Sequence, residues 1–290
     1  MSELCHNQLV GIFYLIASIV AESIGKTIDK LNFRHNHIGA RQSLFVAFVG
    51  MSLSIGLFLY LTRQPWPAFS LTVVVLLLLI ALFSFSGNVF DELSLKADDL
   101  SLREPLVDSE PILAGLVAYL LFPGERKPII LAAFILGAFI VNWGIHRRKL
   151  RRVQRKGMLY LLIGIVLYAV LPSLYQEVLK YIAPSYIAFF RSASVLILVA
   201  LFFHPKKWKG FTPRRVKYAA SASLFYALEA IAALYAIKTY GAVLTMLFLM
   251  LGPALRYLSG QFILHEKVRR GEVIASLMLT VVVAIAAFAN

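Results

Sequence analysis

Cysteine is almost missing: Cys5 stands alone, which excludes an internal disulfide and a cysteine metal site. Charge is scarce as well, 15% of residues against 60% hydrophobic. A soluble domain cannot hide that much apolar surface, whereas a bilayer can. Acids are the rarer sign, 15 against 29 bases, for a net charge of +14. A basic chain raises the question of nucleic acid, but the bases collect in short loops between apolar runs. That is the pattern of membrane orientation, so no nucleic-acid partner is expected. The first eight residues hold no Lys or Arg. A cleaved signal peptide would open on a basic stretch, so the first apolar run is expected to be retained.

Signatures of catalysis are missing too. His265-Glu266 begins an H-E-x-x-H motif, but Arg269 stands where the second histidine belongs. There is no Walker phosphate loop and no glycine dinucleotide fingerprint, which argues against ATP as an energy source. No nucleophile–base set is visible, so neither an enzyme nor a metal or other cofactor is expected. His35 and His37 lie in a polar loop and read as solvated.

What the chain does have is a succession of apolar runs near 20 residues, each able to span about 30 Å of hydrocarbon. Ten can be counted: Leu9–Asp29, Arg41–Leu61, Phe69–Val89, Ser101–Phe122, Pro128–Ile145, Gly157–Leu179, Pro184–Phe203, Val216–Ile237, Ala242–Leu264 and Glu272–Ala289. Gln64-Pro65-Trp66-Pro67 closes the second, and His204-Pro205 the seventh. A basic linker, His146 to Lys156, separates five spans from five. It reads as an orientation signal, with lipid head-group binding as the sharper alternative.

One stretch is written twice. Lys96 precedes Pro111 by 15 residues and Glu125 follows by 14; Lys238 precedes Pro253 by 15 and Glu266 follows by 13. This internal duplication divides the chain into 1–146, a linker 147–156, and 157–290. An odd number of spans per repeat makes the second half enter the membrane from the opposite face. Inverted repeats of this kind place a substrate site between them and let access alternate. Loops after odd-numbered spans carry 20 Lys and Arg, those after even-numbered spans only 5. The positive-inside rule then puts the odd loops in the cytoplasm and both termini outside.

The duplicated element resembles the EamA repeat of the drug/metabolite transporter superfamily. The features that carry the resemblance are Lys96…Glu110-Pro111…Gly124-Glu125-Arg126 and, in a weaker copy, Lys238…Pro253…His265-Glu266-Lys267. It covers both halves and says little about substrate. It implies an all-α membrane protein of ten transmembrane helices, two inverted five-helix repeats around a central cavity. The first four helices of each repeat would line the cavity. Two departures stand out. Ten-helix relatives usually keep both termini in the cytoplasm, against the charge count here, so orientation stays open. The segment KADDLSLREPLVDSEP, from Lys96 to Pro111, is unusually charged.

Charge at bilayer depth costs a few kcal/mol even on mild insertion scales, so such residues must face a cavity or one another. The bases so placed are Lys26, Arg103, Arg191 and Arg256. The acids are Glu22, Glu104, Asp108, Glu110, Glu229 and, less centrally, Glu177. Glu22 and Lys26 are four apart and should pair. In a helix interior Pro105 and Pro111 would loosen the fourth span, and Asp108 or Glu110 could take a proton or substrate; otherwise the acids simply pair, or the span starts only near Asp108. Glu229, midway along an apolar span, either titrates or pairs with Arg191 or Arg256. Those two arginines could instead grip an anionic substrate group. Tyr14, Tyr168, Tyr175, Tyr226 and Tyr235 need partners for buried hydroxyls, and some should line the cavity. The expected substrate-binding set is Glu22, Asp108, Glu110, Arg191, Glu229, Arg256, Tyr14, Tyr168 and Tyr226, with proton coupling at Asp108, Glu110 and Glu229.

Together these features point to a secondary transporter moving a small polar or zwitterionic metabolite by alternating access. The alternative is a flippase for a lipid or lipid-linked anionic substrate; a scaffold without transport would require every acid and arginine to pair. The expected setting is a bacterial or archaeal inner membrane. The expected partners are lipids, a small substrate and protons, around a monomer or homodimer.

Overall fold

A computed structural model describes residues 2–36, 40–97, 107, 109–141, 155–203, 213–252, 254–255 and 270–288. The described residues form nine α-helices and one 3-10 turn. They are α1 Ser2–Asn36, α2 Ala40–Thr62, α3 Leu71–Ala97, α4 Glu110–Leu121, α5 Pro128–Ile140, α6 Arg155–Val178, α7 Pro184–Phe203, α8 Pro213–Leu249 and α9 Arg270–Phe288. Helix is what apolar runs must form in lipid, because it satisfies every backbone group within the segment.

Six of these helices are long and apolar enough to cross a membrane, over Val10–Asp29, Gln42–Thr62, Leu71–Asp91, Lys156–Val178, Pro184–Phe203 and Val216–Leu249. Glu110–Leu121, Pro128–Ile140 and Val273–Ala287 are apolar but shorter. Proline marks where several helices begin. Pro128, Pro184 and Pro213 are first residues, and Pro111 sits in the first turn of α4. There the missing N–H has no intrahelical acceptor to lose. Pro111 therefore does not lie in a helix interior: the described helix starts at Glu110, close to the start near Asp108 that is the alternative for the fourth span.

The eighth and ninth expected spans form a single element, α8, broken at Gly241. This residue has φ 82° and ψ 169°, a conformation open to glycine and strained for any residue with a Cβ. The turn expected after the second span is present, and Arg63 enters it at φ 47°.

The helices pack as two compact units, one of 1–85 with 174–238, the other of 86–173 with 239–290. The first unit joins a stretch before the basic linker to one after it, whereas the linker falls within the stretch 86–173 of the second. In the first unit α2 runs along α7, α1 meets α8 where Gly25 lies against the ring of Tyr226, and Gly50 of α2 lies against Ser223 of α8. In the second unit α5 packs on α4 and α9. Gly115 of α4 takes the ring of Phe134, and Gly137 of α5 takes Met250 and Leu279. Glycine opposite a large side chain lets helices approach without help from the hydrophobic effect, which lipid removes as a driving force between helices.

This packing is directly testable. A Cβ on Gly115 would enter the space of the Phe134 ring, whereas one on Gly124 would meet nothing within 4 Å. Gly115→Ala is expected to cost about 1–3 kcal/mol, as overpacking does. Gly124→Ala is expected to leave the thermal unfolding midpoint in detergent unchanged.

Candidate functional site

Among the described residues, a dense polar constellation lies in the first unit, along the seam of α1 and α8. Tyr14, Ser18, Glu22, Gly25 and Asp29 follow one another at steps of four and three, which places them on one face of α1. Each answers something. Tyr14 stacks on Tyr235 of α8, with ring centroids 4.8 Å apart and planes 18° from parallel. Glu22 pairs with Lys26 at 2.6 Å, as the i,i+4 spacing predicts. Gly25 makes room for the Tyr226 ring. The Tyr226 hydroxyl reaches past it and donates to Asp29 Oδ2 at 2.7 Å.

The fields of these groups overlap. Glu22, Asp29 and Glu229 all act electrostatically on Tyr226, and Lys26 acts on Asp29. Glu22, Tyr226 and Glu229 of the expected set are thus brought together. The seam carries three carboxylates and one ammonium, within membrane spans that are otherwise mostly apolar. The hydroxyls of Ser18 and Ser23 are buried on α1 and have no hydrogen-bond partner among the described residues.

Asp29 is the residue that sequence reasoning missed. As the last residue of its span it reads as the edge of a loop. The signal was its register: seven residues beyond Glu22 and three beyond Lys26, on the same face.

Arg191 lies elsewhere in the first unit. Its Nε donates to Ser84 Oγ of α3 at 3.0 Å, and its guanidinium sits 5.9 Å from the centroid of the Tyr175 ring of α6. This is a packed cation–π site of known geometry. Glu177 pairs with Lys180 at 2.7 Å at the exposed end of α6. Tyr168 and Glu110 belong to the second unit. The Tyr168 ring packs over Gly87, and Glu110 opens α4, where a carboxylate favours the positive end of the helix dipole. Asp108, Arg256, Arg103, Glu104 and the second-copy residues Pro253 and Glu266 lie outside the described residues.

The structure also explains the Glu-Arg pair of the first repeat. Arg126 donates to the backbone carbonyls of Tyr119 and Leu120, the last turn of α4. Glu125 turns the other way. Its Oε2 accepts the backbone N–H of Val243 at 3.0 Å, and its carboxylate fills the space beside Gly241. One dipeptide therefore satisfies orphan carbonyls at one helix end and an orphan N–H where α8 restarts after its break. A side chain at 241 would collide with that carboxylate.

Comparison with known proteins agrees with this architecture. Residues 155–288 match the family model described as "EamA-like transporter family", which lies within the drug/metabolite transporter superfamily. The match covers 155–288, just under half of the chain, and with six helices long and apolar enough to cross a membrane it fits an integral, multi-pass membrane protein. The fold is shared with a crystal structure described only as that of a protein, at a TM-score of 0.69 and 15% identity over 98% of each chain. A search of curated proteins gives no match.

The Tyr226–Asp29 bond holds the seam closed, and its removal should be felt. Tyr226→Phe leaves a buried carboxylate without its donor and is expected to cost about 1–3 kcal/mol. Asp29→Asn keeps an acceptor and removes the charge, so it should cost less. Thermal unfolding of the two variants in detergent gives the comparison.

Proposed function

We propose that the protein is a secondary transporter that moves a small zwitterionic metabolite by alternating access, and that the α1/α8 seam forms part of its substrate path. The observation that carries this reading is the polar stripe of α1 meeting Tyr226 and Glu229 of α8. A membrane helix retains a costly row of polar and charged residues where it serves a solute or a proton. Three carboxylates and one ammonium suit a substrate that carries an amine beside a carboxyl group. The amine would be met by Glu22, Asp29 or Glu229, and the carboxyl group by Lys26. The unpartnered hydroxyls of Ser18 and Ser23 are further hydrogen-bonding groups along the same helix.

The two repeats, inverted in the membrane, would supply the two-sided access. Arg191 is a second point at which an anionic group could be held. Proton coupling would run through Glu229 and Asp29, with Asp108 and Glu110 as the acids of the fourth span. An excess of carboxylates in a low-dielectric site can be balanced by a proton as well as by a substrate amine, so the two can exchange. The reading places the protein in a bacterial or archaeal inner membrane, as a monomer or homodimer.

The experiment is a thermal-shift screen of zwitterionic metabolites, followed by counterflow of the stabilising compound in liposomes. Glu22→Gln and Glu229→Gln are expected to slow exchange by about tenfold or more, the loss of one charged contact. Exchange should also depend on pH, and the dependence should flatten in one or more of Asp29→Asn, Asp108→Asn, Glu110→Gln and Glu229→Gln. Unaltered exchange in the first two variants would refute the substrate path. An unaltered pH profile in all of the last four would refute proton coupling.

A further inference from the structure

A pocket lies in the first unit, away from the α1/α8 seam. It encloses about 520 Å³ and is walled by Tyr60, Arg63, Gln64, Trp66, Tyr186 and Phe189. Three membrane spans reach their ends here: α2 stops at Thr62, α3 starts at Leu71 and α7 starts at Pro184. The pocket therefore sits where hydrocarbon gives way to water, the depth at which tryptophan and tyrosine collect.

The pocket is built rather than incidental. Gln64 is tied to the start of α7 twice: its backbone carbonyl accepts the Tyr186 hydroxyl at 2.8 Å, and its side-chain oxygen accepts the Ser185 hydroxyl. Trp66 packs on Tyr186 with centroids 5.4 Å apart. Between these anchors Arg63 is held at φ 47°, the single positive φ of a non-glycine residue among the described residues. A left-handed arginine is a strained conformation that persists only where its surroundings impose it.

The polar groups have one character. The Arg63 guanidinium and the Gln64 amide nitrogen have no acceptor among the described residues, and both are pure donors. Donors without acceptors, beside aromatic walls, call for an anion attached to an apolar body. The apolar body has a track. Leu53, Leu57 and Leu61 follow one another at steps of four along α2, are 58–69% exposed, and end at the pocket, of which Leu61 is a wall. We propose that this pocket binds the head group of an anionic phospholipid. Its phosphate rests on Arg63 and Gln64, and one acyl chain runs along Leu53, Leu57 and Leu61. The site does not depend on what the protein transports.

Trp66 reports on it directly. In a Trp143→Phe, Trp208→Phe background it is the sole remaining indole. Lipids brominated on the acyl chain quench its fluorescence on contact. In vesicles at equal mole fraction, brominated phosphatidylglycerol is expected to quench with about fivefold higher apparent affinity than brominated phosphatidylcholine, the effect of one interfacial cation. Arg63→Gly accepts the left-handed backbone and removes the charge, so it should abolish the preference; Arg63→Lys should keep most of it. Equal quenching by the two lipids, or a preference that survives Arg63→Gly, overturns the proposal. So does complete relief of the phosphatidylglycerol quenching by millimolar inorganic phosphate, which would identify a site for the free anion instead.

Discussion

A charged or hydrogen-bonding side chain carried into hydrocarbon has to be met by another group of the same protein, because lipid offers it nothing. That constraint shapes the first unit. Along α1 the polar residues fall on one stripe, and α8 supplies a counterpart at several points: Tyr235 under Tyr14, Tyr226 on Asp29. Glu22 and Lys26 answer each other within the helix. The same demand places Ser84 on the Arg191 guanidinium, with the face of Tyr175 nearby. A seam held by hydrogen bonds and ion pairs opens at lower cost than one locked by close apolar packing, provided that water or a substrate replaces the partners. Such a seam suits a transporter.

Helix ends face the same demand in backbone form, and the second unit shows how the repeat motif meets it. Glu125 and Arg126 look, in sequence, like a charged stop signal. In the structure they are a double cap that links α4 to the segment of α8 beyond Gly241. The break at Gly241 and the carboxylate beside it require each other. The left-handed backbone frees the N–H groups of the following turn, and the absence of a Cβ lets the carboxylate approach.

The legible part of this molecule was the part written in periodicity and punctuation. Apolar runs located the helices, prolines located several of their starts, and the i,i+4 spacing of Glu22 and Lys26 predicted their pairing. Glu22, Tyr226 and Glu229 stood in one expected set of nine residues, but nothing in their spacing brought α1 to α8. Asp29 was not in that set, because the end of a span and the start of a loop look alike in one dimension; only the facing tyrosine shows that it belongs inside. Pro111 could be read as a helix breaker or as part of a helix start near Asp108, because the fourth apolar run extends upstream of it; α4 begins at Glu110. The partnership of Glu125 with Val243 spans 118 residues, and no local pattern can announce a contact at that separation. The pocket at Arg63 went unseen for a different reason. Its loop was recognised as a turn, but turn chemistry does not disclose that Gln64 is anchored on α7 or that its neighbour's guanidinium has no acceptor.

The central claim is that the stripe on α1 is a path for solute and not a permanently closed interface. Ser18 tests it most directly, being buried on that stripe with an unpartnered hydroxyl. With Cys5 replaced by Ala, a cysteine at position 18 is the only thiol in the chain. A membrane-impermeant thiol reagent should label it in sealed liposomes during turnover, and the transported metabolite should slow the labelling. If that cysteine stays unreactive from both sides of the membrane while the protein is transporting, the seam is dry throughout the cycle and the account is wrong.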